Sequence, residues 1–223
     1  MSSSKPFRFL DLPPELRNRI YDLYFDSSLE DGANTIPRTS PNLAANFLTT
    51  CHQIRNEAAG LYYARPFRLV GCASAKTFLS NLTDESRKLL KSVTLTITGP
   101  FDQAFTRTIN LLKNLDSLQS LTIELESVKE LKRLVKYNLF SSLSTTKQLV
   151  ALRKNEHFAA LLQLRGIAHF DFCSKRLCRR RVWDGGSCEM CDFEKELLGR
   201  VGEVIGEVVK LERGKWYGGL RRR

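Results

Sequence analysis

The sequence predicts an α/β fold: an N-terminal helical hairpin, joined to a short irregular arc of parallel strands and amphipathic helices, and closed by a C-terminal helix. Three observations predict it. Two segments near the N-terminus repeat apolar residues at helical spacing. Four later segments alternate apolar and polar residues and align with one another, the period of a strand with one buried face. The stretches between and after them return to the helical period. The chain divides accordingly into residues 1–65, 66–172 and 173–223.

The first helix is written in LPPELRNRIYDLYF, residues 12–25. Pro13 and Pro14 lack backbone donors and have φ preset near the helical value, so they suit a first turn. Glu15 puts negative charge at the positive end of the helix dipole. Leu16, Ile20, Leu23 and Tyr24 then form one apolar face, and Asp26-Ser27-Ser28 ends the helix. Residues 27–46, with Gly32, Pro37 and Pro41 among polar groups, read as a loop. The second helix is FLTTCHQIRNEAAGLYY, with Phe47, Cys51, Ile54, Ala58, Leu61 and Tyr62 as its seam.

The strands are PFRLVG, KSVTLTITG, QSLTIEL and AHFDF. Phe67/Leu69, Val93/Leu95, Leu121/Ile123 and Phe170/Phe172 fall in register, and Leu90, Leu118 and Ile167 stand three positions before the last three. The intervals from Phe67 to Val93 to Leu121 are 26 and 28 residues, and the next, to Phe170, is 49, which calls for an inserted helical segment. SAKTFLSNL, FDQAFTRTINLLKNL, VKELKRLVKYNLF and KQLVALRKNEHFAALLQL read as amphipathic helices between the strands. A last helix is predicted from Phe193 to about Leu211, with Phe193, Leu197, Val201, Val204, Ile205 and Val208 on its apolar face. Gly199, Gly202 and Gly206 share a flank of it. Each costs about 1 kcal/mol against Ala in a helix interior, so a closely packed neighbour is expected there. The helix is read as a cap on the open end of the arc.

Composition narrows the function classes. A 223-residue chain with 42% hydrophobic residues supports a substantial core. A net charge of +11 permits an acidic partner without specifying one. The N-terminus has no secretory h-region, and no apolar run approaches the roughly 20 residues that span a bilayer. The expectation is an intracellular protein, cytoplasmic or nuclear, with no membrane role and with its six cysteines reduced or bound to metal. No HExxH, phosphate-cradling glycine loop or paired-carboxylate arrangement stands out, and His52, His157 and His169 are scattered. No catalysis is expected.

Two further features carry chemistry. Between 173 and 191 four cysteines occur as Cys173-x4-Cys178 and Cys188-x2-Cys191, a spacing from which a turn could assemble a tetrahedral structural zinc site. Reduced, partly buried thiols are the other reading. Lys175, Arg176, Arg179, Arg180 and Arg181 stand beside Trp183, a pattern shared by phosphate contacts, nuclear-import signals and solvated turns. Residues 165–223 carry 14 Lys/Arg against 9 Asp/Glu, so the excess is local and nucleic acid is not the expected partner.

On one side of the strands the alternation places Arg68, Thr94, Thr96, Thr122, Glu124, His169 and Asp171. Parallel sheets normally read as continuous apolar runs because both faces are covered. This row is therefore the candidate face for a target protein, with a merely solvated face as the alternative.

The segments LDLPPELRNRIYDLYF and FLTTCHQIRNEAAGLYYARPF together resemble the F-box-like module common in fungal proteins. Its pattern is LPxELRxxIY, a variable loop, then TCxQIxxEAxxLYY, and the match covers residues 1–65. The later strand–helix units resemble a leucine-rich-repeat arc, although Thr98 and Glu126 stand where that motif has asparagine. The F-box resemblance implies that the leading Leu-Pro and the first helix dock on the Skp-type adaptor subunit of a cullin–RING ubiquitin ligase. Carried over by position, Leu12, Pro13, Leu16 and Ile20 are the docking residues, and the arc would hold an unknown target protein. Two outcomes stay open for this apolar face: presentation to a partner, or burial against the rest of the chain. The alternative function is a stand-alone interaction or nucleic-acid-associated protein with a structural zinc in its basic Cys-rich segment.

Overall fold

The computed structural model describes residues 8–27, 33–36, 46–126, 145–174 and 189–210, without the side chains of 145–146 and 189–195. It is a mixed α/β structure with a five-stranded sheet and, among the described residues, eight α-helices.

A 3₁₀ turn over Phe9–Asp11 leads into α1, Pro14–Ser27. The Pro13 carbonyl accepts the first two helical amide bonds, from Leu16 at 3.0 Å and Arg17 at 3.1 Å. The helix ends where the Ser27 hydroxyl donates to the Tyr24 carbonyl at 2.8 Å.

The predicted loop that follows contains a strand, β1, Asn34–Ile36. Three residues are too few for a period to show in the sequence; pairing with β2, Phe67–Val70, defines it. The next helix, α2, spans His52–Tyr63 and so begins later than the apolar seam from Phe47 implied. Thr49 and Thr50 turn their hydroxyls onto the carbonyls of Asn46 and Phe47, at 2.7 and 2.8 Å. Cys51 is extended and caps α2, its Sγ accepting from the Ile54 amide at 3.4 Å.

Gly71 joins β2 to α3, Cys72–Ser80, with φ of 82°, a conformation that side chains with a Cβ disfavour. A short α4, Asp84–Leu89, which the apolar pattern did not reveal, is capped by Thr83 Oγ1. Strand β3, Ser92–Ile97, leads to α5, Gln103–Lys113, where Asp102 accepts from the Phe105 amide at 3.0 Å. Strand β4 is Ser120–Leu125.

The helix predicted over VKELKRLVKYNLF lies outside the described residues. The segment KQLVALRKNEHFAALLQL is two helices, α6 Thr145–Arg153 and α7 Glu156–Leu161, rather than one. Asn155 separates them by accepting from the amides of His157 and Phe158, which a continuous helix would bond to its own backbone. Strand β5, His169–Ser174, and α8, Glu189–Val209, follow.

All strands are parallel and lie in sequence order, β1 to β5. The register is the one read from the sequence: Phe67, Val93, Leu121 and Phe170 pair in turn, as do Leu69, Leu95, Ile123 and Phe172. These side chains join Ala75, Leu79, Phe105, Ile109, Leu197, Val201, Ile205 and Val208 in one hydrophobic cluster. The cluster also takes in Tyr21, Phe25, Ile54 and Tyr62 from the N-terminal helices, so the core runs through all three sequence segments. Gly202 of α8 lies where a Cβ would come within 3.2 Å of the Phe172 Cβ, and one on Gly206 would meet the Phe170 ring at 3.6 Å. The close approach accounts for Gly202 in a helix interior; a methyl on Gly206 would make only ordinary contact, and Gly199 has nothing within 4 Å, so neither of those has such a reason.

Candidate partner-docking site

Helix α1 turns two different stripes to two environments. Arg17, Tyr21 and Phe25, four residues apart, are buried. Leu16, Ile20, Leu23 and Tyr24 are exposed, at 53, 40, 56 and 37%. Leu10 on the preceding turn is 39% exposed, Pro13 is exposed and Leu12 is half-buried. Six large apolar side chains are exposed among the described residues, and only Val150 lies outside this group of five. Exposed apolar side chains scattered singly need no explanation, whereas a cluster on one helix does.

The inward stripe is held by aromatic packing. Phe25 meets Tyr62 at 5.3 Å between ring centroids, and Tyr62 meets Phe67 of the sheet at 5.2 Å. Tyr21 packs against Phe9 at 5.6 Å and Phe47 at 5.7 Å. Arg65 closes the far end: its guanidinium lies 5.4 Å from the centre of the Phe25 ring and pairs with Asp22 and Asp26 at 3.1 and 2.9 Å.

At the near end sits a polar network. The Arg17 guanidinium donates to Glu57 through two nitrogens, Nε to Oε2 at 2.9 Å and Nη2 to Oε1 at 2.7 Å. The Tyr21 hydroxyl donates to Glu57 Oε2 at 2.8 Å, and Gln53 Nε2 donates to Oε1 at 3.0 Å. The remaining Arg17 nitrogen, Nη1, donates to the carbonyls of Leu10, at 3.0 Å, and Leu12. Bonding to Arg17 and then Gln53 and Tyr21 lowers the Glu57 carboxyl from 4.5 to about 2, against an opposing effect of burial. Burial, reinforced by the Glu57 carboxylate, pushes the Tyr21 phenol up to about 12.

Reading the sequence by its apolar groups misses this network. Its signal lay in the polar letters of the pattern LPxELRxxIY and TCxQIxxEA, which fall on Arg17, Tyr21, Gln53 and Glu57. The apolar letters divide differently: Leu16 and Ile20 face out, and Ile54 and Ala58 face in.

The candidate target face of the sheet is more varied than alternation implied. His169 and Asp171 are exposed, and Arg68, Thr94 and Thr122 are half-buried. Thr96 and Glu124, at 4 and 9% exposure, are not available to a partner, a correction to the predicted row. They pair in register, and the Thr96 hydroxyl donates to Glu124 Oε2 at 2.8 Å. Val70 and Cys173 flank them in the same row, so the pair is covered along the sheet on both sides and satisfies its polar atoms by its own hydrogen bond.

Of the proposed zinc ligands, Cys178, Cys188 and the side chain of Cys191 lie outside the described residues. Cys173 stands beside Glu124 on the sheet. Burial, then the charges of Asp171 and Glu124, push its thiol up to about 11, with Arg68 opposing. Among the described residues no group of three His, Cys, Asp or Glu side chains could hold a metal ion. Among them, too, no helix is long and apolar enough to cross a membrane. Compared with protein-family models, curated proteins and solved structures, the chain gives no significant match.

Proposed function

We propose that this chain is an F-box-like substrate receptor: α1 and the turn before it dock on a Skp-type adaptor subunit, and the sheet presents a target protein to a cullin–RING ubiquitin ligase. The chain contributes affinity and position, and the transfer chemistry belongs to other subunits. The observation that carries this reading is the apolar cluster of Leu10, Leu16, Ile20, Leu23 and Tyr24 left partly exposed while α1 buries an arginine and two aromatics instead. A helix serving only its own core would turn its leucines inward, because burying each is worth about 1.5–3 kcal/mol. Three of the residues assigned to docking by resemblance, Pro13, Leu16 and Ile20, are exposed, and Leu12 is partly so.

The later part of the chain is read as an irregular leucine-rich-repeat-like arc, supported by its parallel strands in sequence order. Its target-facing residues are Arg68, Thr94, Thr122, His169 and Asp171, without Thr96 and Glu124. Co-purification with a purified Skp-type adaptor tests the docking half. The expected result is a stoichiometric complex that Leu16→Ala/Ile20→Ala weakens by about thirtyfold, the loss given by a central interface residue worth about 2 kcal/mol. Failure of the unaltered chain to bind the adaptor would reject the assignment.

A further inference from the structure

We infer that Arg17 is a positioning residue for the docking surface: it holds the segment Leu10–Pro13 where that segment extends the apolar face of α1, and Glu57 on α2 fixes Arg17 in turn. The inference rests on the docking role proposed above for that face, and it assigns control of the face to residues that do not belong to it.

The argument begins with the backbone before α1. Pro13 and Pro14 have no N–H to donate, so this stretch has few ways to tie itself to the helix. The local turn makes two bonds of its own, from the Asp11 amide to the Arg8 carbonyl at 3.1 Å and from the Leu12 amide to the Phe9 carbonyl at 3.2 Å. The carbonyls of Leu10 and Leu12 turn instead to Arg17 Nη1. One guanidinium therefore grips the backbone on both sides of Asp11, and the side chains it sets are Leu10 and Leu12, on the rim of the exposed cluster.

Holding two carbonyls with one nitrogen requires that the rest of the guanidinium stay still. Glu57, 40 positions away, does this with a two-point contact at 2.7 and 2.9 Å. Tyr21 and Gln53 hold the carboxylate in its turn. Arg17 is only 7% exposed, so a docked partner has little of it to touch. Its influence on docking must pass through the segment it holds. Lysine cannot take its place: a single ammonium lacks the planar fork that meets a carboxylate along one edge and carbonyls along the other.

The test uses the full chain with Arg17→Lys and Glu57→Gln, read by amide exchange and by affinity for a purified Skp-type adaptor. Hydrogen bonds to a charged group are worth enough that losing them speeds local opening by about tenfold or more. The expected result is faster exchange at the Asp11 and Leu12 amides by about that factor, unchanged protection across Val93–Ile97, and adaptor affinity reduced about tenfold although every apolar docking residue is retained. Arg17→Lys, which keeps the charge, serves if Glu57→Gln does not fold. Unchanged exchange at Asp11 and Leu12 would overturn the inference. So would faster exchange there with undiminished adaptor affinity, when Leu16→Ala/Ile20→Ala weakens that affinity. If the unaltered chain binds no adaptor, the docking role itself fails, and exchange at Asp11 and Leu12 alone decides whether Arg17 holds the segment.

Discussion

Glu57 is the residue on which the N-terminal helices close. It accepts hydrogen bonds from Arg17, Gln53 and Tyr21, and its carboxyl is held at about 2 instead of 4.5. A carboxyl depressed in the folded state contributes stability that is present above its ordinary value and is lost as pH falls toward the folded one. The contribution of Glu57 is therefore intact above about pH 4.5 and disappears on acidification toward about 2. Thermal unfolding followed over that window should show a steep loss of stability in the unaltered chain and a shallower one in Glu57→Gln, which starts lower at neutral pH. Equal slopes would mean that the carboxylate is not held as described. Tyr21 works in the opposite direction. Its phenol is raised from 10 to about 12, so its contribution is complete below about pH 10 and lost as pH rises through about 12. Tyr21→Phe should remove that alkaline component.

At the scale of elements, the glycines of α8 give the clearest prediction. A methyl on Gly199 meets nothing within 4 Å, whereas one on Gly202 would press on Phe172 at 3.2 Å. Gly199→Ala should raise stability by about 1 kcal/mol, the propensity difference in a helix interior. Gly202→Ala should show no such gain, because the same propensity is offset by crowding against β5. Denaturant titration of the two variants checks this, and an equal gain in both would mean that α8 does not pack on Phe172 as closely as described. The sequence carried much of this level. The strand register from Phe67 to Phe172 was legible because alternation over four or more residues has one reading when a face is buried. What it did not carry was short or polar: β1 has three residues, α4 is set by the Thr83 cap, and the break at Asn155 depends on one side chain accepting two amides. The face of α1 stayed open in the sequence for a related reason. Two stripes lie side by side on that helix, Leu16/Ile20/Leu23 and Arg17/Tyr21/Phe25, and periodicity alone cannot say which one the core takes.

For the whole molecule, one core joins the N-terminal helices to the sheet and the closing helix. The aromatic chain from Tyr21 and Phe25 through Tyr62 to Phe67 makes that connection. Docking at α1 would therefore fix the sheet, and any target held there, rather than engage a loosely tethered module. This is the geometry a receptor needs, since a target is useful to a ligase only when its position is set. It also predicts that Phe25→Ala costs about 3–5 kcal/mol and lowers the unfolding transition of the whole chain as one event. Separate transitions for the N-terminal helices and the sheet in calorimetry would contradict it. The central claim is that the outward face of α1 exists for a partner. The most direct measurement is titration of a purified Skp-type adaptor into the unaltered chain and into Leu16→Ala/Ile20→Ala, with thermal unfolding of both. The account predicts a one-to-one complex for the former, binding weakened about thirtyfold for the latter, and matching unfolding temperatures. No complex with the unaltered chain, or equal affinity for both, would contradict it.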